Sequence, residues 1–162
     1  MNENTKDQEE DQLDLFGAMD QHFNPRTYYM IGGFPYGNVS ILSQRAFYLW
    51  EIFIHRVDPL VKILHKPTMQ AEFVRVLEFP ENNPIPIATQ AVMYAIYFCS
   101  ITSLGCDECL RVFDCSKTSM LKFCKDITEQ ALLQAGLLAT NEPLVLQAFS
   151  LYLVCLFSDK YE

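Results

Sequence analysis

Residues 87–104 impose the strongest constraint on what this chain can become. Val92, Met93, Ala95, Ile96, Phe98 and Cys99 leave that stretch apolar on nearly every side. As a helix it has no face suited to water, so other elements must wrap it. The longest nearly uninterrupted apolar runs are residues 92–101 and 144–157. Both fall short of the ~18–20 residues that cross a bilayer. They read as buried helices, with no membrane partner.

The flanking segments supply the wrapping. From Ser43, a plausible N-cap, Phe47, Trp50, Phe53, Ile54 and Val57 form one apolar stripe of helical period. Asp58-Pro59 should end that helix, because the residue before proline avoids the α region. Asp58 would then cap a short turn starting at Pro59. A segment over 68–79 puts Met69, Phe73, Val76 and Leu77 on one side, and Pro80, Pro84 and Pro86 mark a rigid loop. Gly105 suits a helix C-cap. A short helix over 107–113 follows, then a longer one over 118–137 with Leu121, Cys124, Thr128, Ala131, Leu132 and Ala135 on one face. The last runs from an Asn141 cap, with Glu142 and Pro143 in its first turn, to Phe157. No segment alternates as a strand does. The expected fold class is all-α, a multi-helix array.

A length of 162 residues allows one domain with a tail. The net charge of −8 is unevenly spread: residues 1–20 carry seven acids and one base, which leaves −2 for the rest. Residues 1–24 read as an acidic, disordered head. Leu13, Leu15, Phe16, Met19 and Phe23 alternate there with acids, a composition shared with activation segments, although a lead-in docked on the domain explains them more simply. Residues 25–42 read as a Gly/Pro loop. The run from Gly32 to Gly37 lacks the ending of a phosphate loop. No cluster of Lys or Arg is present to displace counterions from a nucleic-acid backbone, so direct nucleic-acid contact is not expected.

The polar, acidic start does not resemble a secretory signal. The six cysteines (Cys99, Cys106, Cys109, Cys115, Cys124 and Cys155) therefore read as buried free thiols in a reducing compartment. Cys106-x2-Cys109-x5-Cys115 looks like half of a zinc cluster. No second half follows, its intervening residues are acidic or apolar, and the segment reads as helix, whereas structural zinc wants four ligands. Of His22, His55 and His65, none forms a metal-binding helix pair. His55 and His65 read as cations near helix C-termini. No nucleophile elbow gathers Ser or Cys with His and an acid, so an enzyme is not expected. Trp50 with Phe47 and Phe53 could line a pocket, but an aromatic stripe at helical spacing reads first as core.

One ordered set of residues carries a resemblance. Leu49-Trp50, then Phe53, then Asp58-Pro59-Leu60, then His65-x-Pro67-Thr68, resembles the opening of the regulatory (middle homology) domain of fungal zinc-cluster transcription factors. The stretches 91–97, 102–109, 130–138 and 145–153 resemble that domain's later blocks, and the likeness is greatest to regulators of secondary metabolism. It covers residues 43–157. The resemblance implies a partial regulatory domain over 43–162, with Trp50, Phe53, Pro59, Leu60, His65, Pro67 and Thr68 as structural motif residues. It implies transcription regulation in the nucleus through other domains of the same factor or a protein partner. Cofactors in this chain are none; zinc and DNA contact belong to a separate segment of the family protein.

The family's zinc cluster and its later helices find no counterpart in these residues. On that reading the core is an incomplete portion of a larger helical domain. The apolar run 144–157 would then favour self-association, and the chain alone would act at most as an interaction or dominant-negative fragment. The rival reading is a free-standing helical module that binds a partner or ligand between the Trp50 helix and the 87–104 helix.

Overall fold

The computed structural model describes residues 43–78 and 85–158. The expectations for the head (1–24), the loop (25–42) and the Pro80–Pro84 stretch fall outside the described residues. The chain runs through α1 (Ser43–Ile52), a π-helical turn (Phe53–Val57), α2 (Asp58–Val61), α3 (Lys66–Glu78), α4 (Ile87–Ser103), α5 (Cys106–Phe113), α6 (Lys117–Gln134) and α7 (Pro143–Ser158). Among the described residues there is no strand, and the fold is an all-α multi-helix array.

α4 is the axis of the array. Thirteen of its 17 residues are buried, which leaves no polar stripe for water. α6 and α7 cover two of its sides, and α1 with the π turn covers a third. Two hydroxyls caught inside bond to nearby backbone carbonyls. The Ser100 hydroxyl lies 2.8 Å from the carbonyl oxygens of both Ile96 and Leu49, and Thr128 Oγ1 donates to the Cys124 carbonyl. α6 contributes Met120, Cys124, Thr128, Ala131 and Leu132 to the core, and α7 contributes Val145, Ala148, Leu151, Tyr152 and Cys155. The Tyr152 hydroxyl donates to Glu129, tying α7 to α6.

Several helix ends differ from expectation, each for a local reason. Ser43 is already helical rather than capping. α4 closes on Leu104 in an extended conformation, and Gly105, at φ −74°, starts α5 instead of ending α4. The Gly105 N–H donates to Glu108 Oε2 at 2.9 Å, the return half of a capping box. α6 starts from Ser116, whose hydroxyl accepts from the Ser119 N–H. α7 begins at Pro143, so Asn141 lies too early to cap it. Thr140 Oγ1 instead accepts from the Glu142 N–H.

α6 stops at Gln134, short of the expected Leu137, because Gly136 turns the chain at φ +70°. Its N–H bonds to the Leu133 carbonyl and the Leu137 N–H to the Leu132 carbonyl, the two bonds of a Schellman motif. Space around Gly136 is open, so only backbone strain opposes a side chain there. Gly136→Ala should therefore destabilise the fold by about 1 kcal/mol. A lowered urea midpoint with an unchanged slope checks this.

Candidate functional site

Pro59 creates the problem around which the Trp50–Thr68 motif is built. In a regular α-helix its ring would meet the carbonyl four residues back, that of His55. The chain opens by one residue there. The Asp58 N–H bonds back to the Phe53 carbonyl, and the π turn carries the helix past the proline. The expected break at Asp58-Pro59 is thus a bulge: Asp58 keeps a helical conformation (φ −56°, ψ −37°) although proline follows. The helix ends only at Lys62, in the left-handed region at φ 47°, where its N–H bonds to the Asp58 carbonyl.

The second half of the motif is a helix start. The His65 carbonyl accepts the first bond of α3 from the Met69 N–H, and His65 Nδ1 lies 2.8 Å from Thr68 Oγ1. Pro67 sits in the first turn, where its missing N–H has no intrahelical partner to lose. The expectation that His65 serves a helix C-terminus is corrected: it stands before an N-terminus. Asp58 spans the link between the two halves. It is 1% exposed, and its Oδ2 lies 2.7 Å from Lys66 Nζ at the start of α3. α7 holds the same link, with Gln147 Nε2 donating to the Ile63 carbonyl at 3.1 Å.

Aromatic contacts bind this junction to the core. The Trp50 ring lies 5.9 Å from Phe53 at 17°, and 4.8 Å from Phe73 of α3. Phe73 meets Tyr97 of α4 edge-on at 6.0 Å. Phe53 and Phe73 are wholly buried and Trp50 nearly so. Leu60, in contrast, is 84% exposed, and Pro59, His65, Pro67 and Thr68 lie at the surface. The Trp50 helix contacts α4 directly, with the Ser100 hydroxyl 2.8 Å from the Leu49 carbonyl oxygen. An open trough of about 550 Å³ runs instead along α3, lined by Pro67, Gln70, Ala71, Val74 and Arg75.

A clip that the sequence reading missed fixes the π turn from the other side. Arg56 grips Glu108 of α5 through two bonds of 2.9 and 2.8 Å and also donates to the Ser103 carbonyl at the end of α4. The hydrogen bonds from Arg56 and from the Gly105 N–H hold the Glu108 carboxyl down to about 2. The one sequence signal was Glu108 at the third helical position after Gly105, where a capping acid belongs.

The cysteines do not assemble a metal centre. On α5 Cys106 is exposed and Cys109 buried, and Cys115, in the link to α6, is buried as well. Burial pushes the Cys109 thiol up to about 11, the wrong direction for a thiolate ligand. Among the described residues no three metal-capable side chains converge. These positions do not fit the zinc of a cysteine cluster. His55 pairs with Glu51 at 3.2 Å on the exposed side of α1, and His22 lies outside the described residues. No helix among the described residues is long and apolar enough to cross a membrane.

Two outcomes check the junction. Trp50→Ala removes the ring that joins α1 to α3 and should cost about 3–5 kcal/mol, while Leu60→Ala should stay within about 0.5 kcal/mol, both read from urea unfolding. The Glu108 carboxyl is depressed in the folded state, so its contribution is present above its ordinary 4.5 and is lost as pH falls toward 2. Glu108→Gln should therefore flatten the acid limb of a stability-versus-pH curve in that window and lower stability at neutral pH.

Comparison with known proteins places this helical unit in a family. It is 39% identical over 111 residues to the aurofusarin cluster transcription factor aurR2 of Gibberella zeae, a match covering 68% of this chain and 16% of that protein. It is 34% identical over 114 residues to the C6 finger domain transcription factor adaR of Aspergillus niger, covering 68% and 14%. It is 32% identical over 125 residues to the pyriculol/pyriculariol biosynthesis cluster transcription factor 1 of Pyricularia oryzae, covering 75% and 16%. The chain thus spans less than a fifth of the length of these curated relatives. No family model matches it, and no solved structure matches it. With identity of this level over two thirds or more of its length, the chain belongs to the fungal C6 zinc-cluster transcription factors of secondary-metabolite gene clusters.

Proposed function

We propose that these residues form a helical control segment of a fungal zinc-cluster transcription factor, the opening part of its regulatory (middle homology) domain. They act in transcription regulation in the nucleus, by packing against other domains of the same factor or a protein partner. DNA contact and zinc reside in a different segment of the whole factor, and this segment needs no cofactor of its own. The observation that carries the reading is the kinship to named cluster transcription factors across about two thirds of the chain.

The chemistry of the surface supports the same division of labour. Between residues 43 and 158 the Lys and Arg side chains are dispersed, and Arg56, Lys66 and Arg75 are each engaged by a carboxylate. Such a surface offers little to a phosphate backbone. α7 instead turns an apolar row outward: Leu146 and Phe157 are exposed, and Leu153 on the same face is half-buried. That row suits a neighbouring helix better than water.

The test is a tethering assay. The chain is placed between a heterologous DNA-binding domain and an activation domain, with a reporter read in a filamentous fungus. The expected result is a severalfold change in reporter output that Trp50→Ala abolishes. An unchanged reporter with a stably expressed fusion overturns the control role. A shift of DNA by the untethered chain in a gel overturns the assignment of DNA contact elsewhere.

A further inference from the structure

Cys99 of α4 and Cys155 of α7 meet inside the largest helix–helix contact of the fold. Both are 2% exposed, they are 56 residues apart in sequence, and their sulfur atoms lie 2.8 Å apart. A disulfide bond is about 2.05 Å long, so closure needs a movement under one ångström. Each thiol directs its sulfur at the other across an interface that other contacts already hold together. Cys99 also lies 3.5 Å from the Leu151 carbonyl, one turn back on α7. Neither residue belongs to the motif junction or to the Cys106–Cys115 run.

We propose that Cys99 and Cys155 are a modification site: a two-electron peroxide oxidant converts this pair into a disulfide that locks α7 onto α4. The reaction enters at Cys155. That residue lies in the last turn of α7, where the final carbonyls have no intrahelical donor and the turn frays readily. The Cys155 sulfur attacks the peroxide, the O–O bond breaks, and a sulfenic acid and water are formed. When the turn re-docks, the Cys99 sulfur attacks the Cys155 sulfur. The S–O bond breaks, the S–S bond forms, and the Cys99 proton leaves with the oxygen as a second water. Two thiols are oxidised and one peroxide is reduced.

The environment sets the rate. The hydrogen bond with the Cys155 thiol, and after it burial, hold the Cys99 thiol well above the ordinary thiol range. Cys99 is therefore a poor first nucleophile and is protected from direct oxidation while α7 is docked. The exposed Cys106 is the thiol that reacts fastest without this geometry, so it is the internal control. Once formed, the crosslink closes a long loop and restrains the unfolded chain, which raises the unfolding midpoint.

The experiment uses the full 162-residue chain, folded, in wild-type form and with Cys106→Ser. Each is exposed to hydrogen peroxide, alkylated, cleaved with chymotrypsin and mapped by mass spectrometry. Cleavage after Phe98 and Leu104 separates Cys99 from Cys106 and Cys109. The expected product is one crosslink between the Cys99 and Cys155 peptides, two hydrogens lighter than the free pair. Dithiothreitol should reverse it, and it should raise the urea midpoint. Cys99→Ala should leave Cys155 as a sulfenic acid that dimedone traps. The proposal is overturned if both thiols stay reduced, if Cys155 runs on to a sulfinic acid in the wild type, or if Cys109, Cys115 or Cys124 takes the bond. It is also overturned if urea-unfolded chain yields the same crosslink in the same amount, because pairing would then owe nothing to the fold. The wild-type map decides the question even if a substituted chain fails to fold.

Discussion

The burial of α4 on all sides is the condition that the remaining helices answer. A helix with thirteen buried residues needs neighbours around most of its circumference, and a short chain must supply them from both flanks. α6 and α7 come from the C-terminal side. α1 and the π turn come from the N-terminal side, and α3 reaches α4 through Phe73 and Tyr97. Each of these helices is amphipathic or apolar because its inner face exists to cover α4. The polar groups of α4 follow the same rule: Ser100 and Thr102 bond back to carbonyls four residues earlier, so no water is needed to satisfy them.

The π turn determines which motif residues face the core. By α-helical spacing, Leu60 falls seven residues after Phe53 and three after Val57, on their apolar stripe. One extra residue in the turn rotates everything beyond it by about 100°. Leu60 swings into solvent and Asp58 swings inward. A buried carboxylate needs a partner, and Lys66 at the head of α3 provides it. The proline, the bulge, the exposed leucine and the buried ion pair are therefore one geometric event. The link from Asp58-Pro59 to His65-x-Pro67-Thr68 is long enough to turn at Lys62 and short enough to let Asp58 reach Lys66.

Much of this was legible in the sequence, because periodicity reports burial directly. The all-round apolar run at 87–104 gave the axis, and the Trp50–Phe53–Val57 stripe gave the inner face of α1. The helix over 118–137 was placed to within three residues at its C-terminal end. The misses cluster where a local rule meets tertiary packing. Proline reads as a stop by local rule, yet the chain passes it through a π turn that keeps Phe53 and Val57 buried. Gly105 suits a C-cap by residue type, but its φ of −74° and the bond from its N–H to Glu108 make it a helix start. The Arg56–Glu108 grip joins residues 52 positions apart, and nothing in the spacing of either residue names the other. Pairings of that kind depend on topology, which a single sequence expresses only through the sum of its helices.

The cysteines show how the same atoms serve packing and chemistry. Helices approach closely where side chains are small, and α4, α6 and α7 bury several small residues, among them Ala91, Ala95, Ala131 and Ala148 beside the paired Cys99 and Cys155. At such crossings a cysteine acts as a slightly larger alanine that carries no polar requirement. Burial raises the Cys109 and Cys124 thiols as it raises Cys99, which keeps them protonated and silent. A zinc ligand needs the opposite, a thiolate near the surface with three convergent partners. Cysteine content alone therefore says little here about metal. Position decides: Cys99 and Cys155 meet sulfur to sulfur where α4 packs on α7, whereas burial holds the Cys109 and Cys124 protons in place.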